Sequence, residues 1–178
     1  NRNDLLARTE LEILTNSEDH ADEAYLYLGK LAQRQGMADD AIAAYENVPP
    51  GQHFLSAMAE TSNLLYQLKR PEESARRLAD ARARHPEQRI PLYQLEAELL
   101  SERKDHAAAQ QVLNDGLRLF PDNTALLLSR ALVAERLDDL GQFERDVREV
   151  LVREPDNASA LNALGYTLLE RTARLDEA

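Results

Sequence analysis

Three prolines recur along this chain at a nearly constant interval, and this interval constrains the fold more than any other feature. Pro86, Pro121 and Pro155 are separated by 35 and 34 residues, and each follows a stretch rich in helix-favouring residues. Because proline is poorly tolerated inside a helix, each one marks the end of one helical stretch and the approach of the next. Self-similarity at this length predicts tandem helical hairpins that bury their apolar faces against one another. We therefore expect the function to lie in binding along an extended surface.

Composition supports an all-helical chain and disfavours several classes of partner. Ala, Leu, Glu and Arg are abundant, while the six glycines and seven prolines lie mostly between the periodic stretches. The formal net charge of −11 disfavours nucleic acid as a partner, because an acidic surface repels the phosphate backbone. The absence of cysteine excludes disulfides and thiolate metal sites within the 178 residues.

The sequence AYLYLGKLAQRQGMADDAIAAYENV shows the internal pattern of one repeating unit. Large residues stand at Tyr25 and Leu28, small ones at Gly29 and Ala41, and Gly36 marks the turn. This pattern resembles the tetratricopeptide repeat (TPR), whose two antiparallel helices need large residues at fixed positions and small ones where they cross. The resemblance covers essentially the whole chain. It implies an all-α fold, a right-handed TPR superhelix (an α–α solenoid) of antiparallel helix hairpins.

The repeat register divides the chain, taken as a single array, into six segments. Four are interpreted as complete repeats, and the two at the ends as halves of repeats in a longer array. The predicted segments are the second helix of a truncated repeat at 1–20, complete repeats at 21–53, 54–88, 89–122 and 123–156, and the start of a further repeat at 157–178.

Two details of the register lead to local predictions. Phe143 stands where the pattern requires a small residue, so we expect a wider or shifted helix crossing in the fourth complete repeat. In the last segment, Leu161, Leu164 and Leu168 restore the large positions, and Ala178 falls near the next small crossing position.

The residue types that carry chemistry in enzymes are not grouped in a recognisable way. Four histidines lie near predicted helix boundaries. None has a second histidine one helical turn away, so the sequence lacks the spacing of a histidine pair that binds a metal ion on one helix. Adjacent acidic residues at 39–40 and 72–73 lie near helix starts, where they complement the helix dipole. No phosphate-binding glycine loop, nucleophile elbow or dinucleotide fingerprint is present. We predict that this segment is not an enzyme, with no catalytic residue, metal site or cofactor.

The first helix of each hairpin supplies a candidate protein-binding face. In the repeat family that the sequence resembles, these helices line the concave wall. The candidates combine apolar and tyrosine side chains with amides and single charges, which suits an extended polypeptide or a partner's helix. They are Leu26, Lys30, Arg34, Ala59, Asn63, Tyr66, Gln94, Glu98, Leu128, Leu132, Asn162 and Tyr166, with Ser101, Glu135 and Leu169 as further positions. We expect the large apolar members, Leu26 included, to be exposed, while the alternative is that some contact the next hairpin.

The C-terminal string LNALGYTLLERTARLDEA resembles a narrower group. It is similar to the repeats of LbcA-like outer-membrane lipoproteins of gammaproteobacteria, adaptors of a periplasmic carboxyl-terminal processing protease. The resemblance implies a non-catalytic scaffold on the periplasmic side of the outer membrane, with the peptidase, its substrate proteins, or both as partners. Membrane attachment is expected only through a lipid anchor outside this segment, because no apolar run approaches the roughly 20 residues that cross a bilayer.

Two other functions stay open at this point. The array could be an assembly scaffold for a secretion, pilus or polysaccharide-export machine of the envelope, or a regulatory domain that holds the protein substrate of an enzyme. Self-association also stays open, since unpartnered repeat edges expose apolar surface.

Overall fold

The computed structural model describes residues 2–17, 20–167 and 169. Over these residues the chain forms ten α-helices and one short 3₁₀ helix, Pro86–Gln88. The α-helices are α1 (Arg2–Leu14), α2 (Ala21–Arg34), α3 (Ala38–Glu46), α4 (Phe54–Gln67), α5 (Pro71–Arg84), α6 (Arg89–Glu102), α7 (His106–Leu119), α8 (Thr124–Arg136), α9 (Leu140–Arg153) and α10 (Ala158–Thr167). The prediction of an all-α chain of tandem helical hairpins is confirmed. The predicted packing positions Leu168 and Ala178 lie outside the described residues.

Four hairpin turns share one backbone conformation. One turn residue in each has a positive φ: Gly36 at 75°, Lys69 at 61°, Lys104 at 65° and Asp138 at 60°. Its N–H donates to the carbonyl three residues earlier, and the next N–H donates to the carbonyl five residues earlier at 2.8–3.0 Å. This is the Schellman ending, which satisfies carbonyls that the helix leaves open. Since non-glycine residues rarely adopt this conformation, its recurrence shows that the hairpin geometry overrides local preference.

The periodic prolines mark the opposite ends of the hairpins. Helices α5, α7 and α9 each end two residues before one of them. The intervening residue is extended, with φ between −132° and −123°, which is the conformation that a following proline favours. Pro71, by contrast, is the first residue of α5, where its missing N–H would have had no helical partner. The prolines therefore stop the second helix of a hairpin, as the sequence predicted.

Two compact units are distinguished within the chain, residues 1–92 and 93–178, and the division falls inside α6. In the first unit, the core includes the ring of Tyr45, whose hydroxyl donates to Gln33 Oε1 at 2.7 Å. Burial raises the pKa of Tyr45 to about 12. Gly29 lies directly against this ring, because a Cβ at Gly29 would stand 2.3 Å from a ring carbon. The small residue that the repeat pattern requires at position 29 therefore makes room for Tyr45.

Leu26 belongs to the same core, which corrects the prediction that it is exposed. The residue is 4% exposed and lies in one cluster with Ile42 of α3 and Leu64 of α4. The prediction was wrong because it considered α2 and its own partner helix, whereas the next hairpin also buries this side of α2. Leu26 therefore stabilises the fold and is not accessible to a partner.

Charged side chains link α3 to α5 within the first unit. Arg70 donates to Glu73 at 2.8 Å and to Asp39 at 3.2 Å, and Arg77 donates to the same Glu73 at 2.8 Å and pairs with Glu46. The hydrogen bonds from Arg70 and then Arg77 lower the pKa of Glu73. Because the network is partly exposed, salt screens it and each pair contributes little on its own.

In the second unit, Gly116 of α7 occupies a crossing comparable to that of Gly29. The space is larger here, because a Cβ would lie 3.1 Å from Tyr93 and 3.2 Å from Leu126. Phe143 of α9 is 1% exposed, so the large residue that departs from the repeat pattern is held inside the core. The expected widening of this crossing stays a prediction.

A buried ion pair joins α8 to α9. Arg130 donates through Nε and Nη2 to the two carboxylate oxygens of Asp146, both at 2.8 Å, and through Nη1 to Asn114 Oδ1 of α7 at 2.8 Å. Gln142 also donates to Asp146, at 2.8 Å. The Asp146 side chain is only 4% exposed, so these donors take the place of water at its carboxylate oxygens. The network fixes three helices of the second unit relative to one another.

Candidate functional site

Helices α6 and α8 are in contact in the second unit, and hydrogen bonds between them fix how they are aligned along each other. Gln94 of α6 donates through Nε2 to Ser129 Oγ at 3.0 Å and to the Ala125 carbonyl at 3.4 Å. Ser129 Oγ in turn donates to the same carbonyl at 2.9 Å. Residues 94 and 129 are 35 positions apart, so the first helices of consecutive hairpins meet with the period of the repeat.

An open groove lies along α8, with α6 forming a wall in one part and Glu154 and Asn157 bounding the other, and we call it the α6–α8 groove. One part has a volume of about 230 Å³ and is lined by Gln94, Ala97, Glu98, Ser101, Leu113, Ser129, Leu132, Val133 and Arg136. The second part, of about 380 Å³, shares three of these residues and is lined by Gln94, Thr124, Ala125, Leu128, Ser129, Leu132, Glu154 and Asn157. The groove therefore follows α8 from its first residue to its last.

Four of the predicted binding positions meet in this groove. Gln94, Glu98, Leu128 and Leu132 all line it, and Leu132 is 41% exposed. Ser101 lies in the lining as well but is only 5% exposed. These side chains thus share one accessible surface, while their contact with a protein partner stays a prediction.

Some polar groups of the groove have hydrogen-bond or ion-pair partners among the described residues, and others do not. Glu154 accepts hydrogen bonds from Thr124 Oγ1 at 2.6 Å and from Asn157 Nδ2 at 2.7 Å, and these bonds lower the pKa of Glu154. Neither Glu98 nor Arg136 forms an ion pair with another described residue. The buried Ser101 Oγ has no hydrogen-bond partner among the residues that the structure describes. The groove therefore contains two charges and one hydroxyl that a ligand could satisfy.

One residue of α8 that sequence reasoning included does not line the groove, and several residues that do line it were missed. Glu135 was expected on this face, whereas it accepts from Thr167 Oγ1 of α10 at 3.5 Å and the next residue, Arg136, lines the groove. The α8 residues that line the groove include Ala125, Ser129, Leu132 and Arg136, which are four, three and four positions apart. Residues with this spacing lie on one face of a helix. The groove residues that sequence reasoning missed are Ala97, Leu113, Thr124, Ala125, Ser129, Val133, Arg136, Glu154 and Asn157.

The remaining predicted positions lie outside this groove. In the first unit, Lys30 and Arg34 are exposed on α2, and Lys30 Nζ lies 5.6 Å from the centre of the Tyr27 ring. The half-buried members of the predicted set on α4 are Ala59, Asn63 and Tyr66, and the exposed ones on α10 are Asn162 and Tyr166. A pocket of about 100 Å³ in the first unit contains none of the predicted residues.

The described part of the chain has neither a cluster of metal ligands nor a helix that could span a membrane. No group of three or more His, Asp or Glu side chains is arranged there to hold a metal ion. None of the helices described is both long and apolar enough to cross a membrane. What the groove offers a ligand is apolar contact area, hydrogen bonds and charge.

Known proteins are similar to this chain in sequence or in fold. The TPR repeat-containing protein PA4667 of Pseudomonas aeruginosa PAO1 is 44% identical over 157 residues, which cover 88% of this chain and 27% of that protein. No protein-family model matches the chain. The crystal structure of MamA superposes with a TM-score of 0.54 at 15% identity, over 89% of this chain and 86% of MamA. YrrB, described as a TPR protein with an unusual peptide-binding site, superposes with a TM-score of 0.51 at 14% identity, over 91% of this chain and 84% of YrrB.

The similarity to these three proteins agrees with the repeats found within the chain itself. The proline period and the recurring positive-φ turns define hairpins of one kind, and the comparisons relate hairpins of this kind to known repeat proteins. The chain spans about a quarter of the length of PA4667, so it corresponds to one part of that protein. The chain therefore has the fold of these solved structures, one of them a TPR protein, and is similar in sequence to one part of a TPR repeat-containing protein.

Proposed function

We propose that this chain is the protein-binding segment of a non-catalytic adaptor in the bacterial envelope, on the periplasmic side of the outer membrane. Its partners are a carboxyl-terminal processing protease, the substrate proteins of that protease, or both. The C-terminal string LNALGYTLLERTARLDEA, which resembles LbcA-like lipoprotein adaptors, supports the choice of partner. The repeat fold supports the role of a scaffold, because tandem hairpins offer a long surface for other proteins.

The α6–α8 groove is the observation that carries this proposal. It joins apolar surface from Leu128 and Leu132 to the amide of Gln94 and the carboxylate of Glu98. Such a combination suits protein binding, because apolar contact supplies affinity while a few polar groups fix the register of the partner. The groove is open along its side, so a segment of a large protein can enter without threading.

The length of the groove favours an extended occupant. Thr124 and Arg136 line its two ends and lie twelve residues apart on α8. At 1.5 Å per residue this is about 18 Å of helix. An extended polypeptide of about five or six residues spans the same distance. We therefore assign an extended segment of the partner to this groove.

The proposal includes the other predicted positions that a partner can reach. These are the exposed or half-buried first-helix residues Lys30, Arg34, Ala59, Asn63, Tyr66, Asn162 and Tyr166. Leu26 is excluded from the set because it is buried in the core.

Site-specific photo-cross-linking tests both the surface and the partner. The photoreactive residue p-benzoylphenylalanine replaces Leu132 in the groove of the full-length protein, which is expressed in its own cells. The matched control replaces Val152, which is 75% exposed on α9 and does not line the groove. Irradiation is expected to link position 132, and not position 152, to a processing protease or one of its substrates, identified by mass spectrometry.

Each result of this experiment bears on a separate part of the proposal. Equal cross-linking at both positions, or none at position 132, contradicts binding in the groove. Cross-linking at position 132 only to proteins that are neither peptidases nor their substrates contradicts the adaptor role while retaining the groove as a protein-binding surface.

A further inference from the structure

We propose that the part of the α6–α8 groove around Ser101 is a specificity pocket for a basic side chain of the bound polypeptide, with the Glu98 carboxylate as its ion partner. This inference rests on the proposed function, because it assumes an extended polypeptide in the groove. It adds the chemistry of the residue that the groove selects.

Ser101 provides the first observation. It is 95% buried in the lining of the groove, and its Oγ lacks a hydrogen-bond partner within the described part of the chain. Buried polar groups are nearly always paired, since an unpaired one costs folding free energy. Alanine at this position would avoid that cost. A donor or acceptor on a ligand would instead satisfy the hydroxyl, so the hydroxyl is better matched to the bound state than to the free one.

Glu98 provides an independent observation. Its exposed carboxylate lies one turn before Ser101 on the same helix and forms no ion pair among the described residues. Glu102 follows four positions later, and like charges at this spacing on a helix repel each other. Both carboxylates also lie toward the C-terminal end of α6, where the helix dipole disfavours negative charge. A cation bound at Glu98 relieves both effects.

Arg136, on the opposite wall, does not reverse this preference for a cation. It lies in the last turn of α8, where the helix dipole already favours its positive charge. Glu154 adds a second carboxylate farther along the groove, near the start of α8. The charged groups that line the groove are thus two carboxylates and one guanidinium. Their balance favours a basic segment over an acidic one.

The shape and polarity of a lysine or arginine side chain match these groups. Its aliphatic stem can pack on the apolar side chains of Leu132 and Val133, which line the same part of the groove. Its charged end carries several N–H donors, enough for both the Glu98 carboxylate and the Ser101 hydroxyl. A neighbouring apolar residue of the same segment can then lie against Leu128.

A peptide-selection experiment tests the pocket on the complete 178-residue chain. The probe is a bead library of random octapeptides, acetylated and amidated so that their termini carry no charge. The unaltered chain is expected to select peptides with Lys or Arg at one fixed position beside an apolar residue. Glu98→Gln should reduce this preference about fivefold, the scale of one partly exposed charge pair. Glu98→Lys should replace it with a preference for Asp or Glu. Glu72→Gln, which changes an exposed carboxylate of α5 that does not line the groove, should leave the selected sequences unchanged.

Ser101→Ala distinguishes a hydroxyl that serves a ligand from one that serves the fold. Because the variant removes a buried polar group without a partner, its thermal midpoint should equal or exceed that of the unaltered chain. Its affinity for a selected basic octapeptide, measured by calorimetry, should fall about fivefold. A purely structural role predicts the reverse, a lower midpoint with unchanged affinity, and that result would overturn the assignment of Ser101.

The outcomes separate this pocket from the proposed function. Selection of octapeptides without enrichment of basic residues, or an unchanged selection by Glu98→Lys, overturns the pocket while the groove still binds polypeptide. A chain that selects no octapeptide at all contradicts the extended occupant and thereby both proposals.

Discussion

The helices of the two units begin in different ways. In the first unit, the residues before α2, α3, α4 and α5 form no capping bond with their side chains; they are His20, Met37, His53 and Arg70. In the second unit, an Asp or Asn side chain accepts the N–H three residues later, at 2.9–3.1 Å, before each of α7 to α10; these are Asp105, Asn123, Asp139 and Asn157. One such cap contributes about 1 kcal/mol. The second unit therefore fixes its helix starts locally, whereas the first depends on contacts between helices.

The ion pairs of the two units differ in the same sense. Both units have exposed or partly exposed pairs, such as the network around Glu73 in the first, but the second also has the pair of Arg130 and Asp146, whose carboxylate is buried. Exposed pairs are screened by water and salt, whereas loss of one partner from a buried pair is costly. We infer that the second unit, which contains the groove, is the more rigid. Rigidity favours binding, because less side-chain and backbone freedom is lost when a partner docks.

The largest expected effect comes from breaking the buried pair. Asp146→Ala removes the carboxylate from Arg130, whose side chain is 20% exposed, and should lower the free energy of unfolding by about 3–5 kcal/mol. Urea denaturation followed by circular dichroism measures this change. Asp115→Ala removes the carboxylate from the exposed pair with Arg118 and serves as the control, with an expected loss below about 1 kcal/mol. Equal losses in the two variants would remove the contrast between buried and exposed pairs.

The second prediction compares the two close helix crossings. Gly29→Ala places a Cβ 2.3 Å from the Tyr45 ring, which is fully enclosed, so we expect a loss of about 2–3 kcal/mol in the free energy of unfolding. Gly116→Ala meets Tyr93 only at 3.1 Å and gains helix propensity, so its effect should stay within about 1 kcal/mol. Thermal and urea unfolding of both variants provide the measurement. A greater loss in Gly116→Ala would show that the crossing in the first unit is the more adaptable one.

The third prediction concerns a substitution that gives a helix of the first unit the kind of N-cap found in the second unit. Met37 precedes α3 with φ −89° and ψ 72°, nearly the same as the φ −88° and ψ 73° of the capping residue Asp139. Met37→Asp should therefore raise the free energy of unfolding by about 0.5–1 kcal/mol, while Asp139→Ala should lower it by about 1 kcal/mol. Urea denaturation measures both, and Met37→Ala controls for loss of the methionine side chain. If Met37→Asp is no more stable than Met37→Ala, capping does not distinguish the units.

The smallest expected effects concern the pKa values of Glu73 and Glu154, which are both lowered in the folded chain. Each carboxylate therefore stabilises the fold above its unfolded pKa, and the contribution is lost as the pH falls through its folded pKa. The partners of Glu73 are charged arginines, whereas those of Glu154 are neutral donors. Urea midpoints at pH 7 should show that about 1 M NaCl reduces the effect of Glu73→Gln but not that of Glu154→Gln. An equal response of the two variants to salt would contradict this difference.

The sequence predicted the ends of helices more reliably than the directions of side chains. Proline just after a helix and glycine at a turn act through local backbone geometry, so Pro86 and Gly36 indicated boundaries that the structure confirms. Burial depends on neighbouring hairpins, and the error at Leu26 arose from an element that local periodicity does not include. A rotation of one residue about α8 is enough to exchange Glu135 for Arg136 in the groove.

The capping residues could not be assigned from the sequence for a related reason. Asp138 and Asp139 are adjacent and chemically identical, yet Asp138 adopts the positive-φ turn conformation and Asp139 accepts the N–H of Gln142. Only the position of the turn distinguishes their roles. The groove itself likewise depends on the register between α6 and α8, which the bonds of Gln94 reveal.

A nuclear magnetic resonance titration tests most directly the central claim that the second unit binds an extended polypeptide through the α6–α8 groove. The ¹⁵N-labelled 178-residue chain is titrated with a basic octapeptide selected from the library. The amide shifts are expected to change mainly in two segments, residues 94–101 of α6 and Thr124–Arg136 of α8. Changes confined to the first unit, or spread over the chain without a maximum at these two segments, would contradict it.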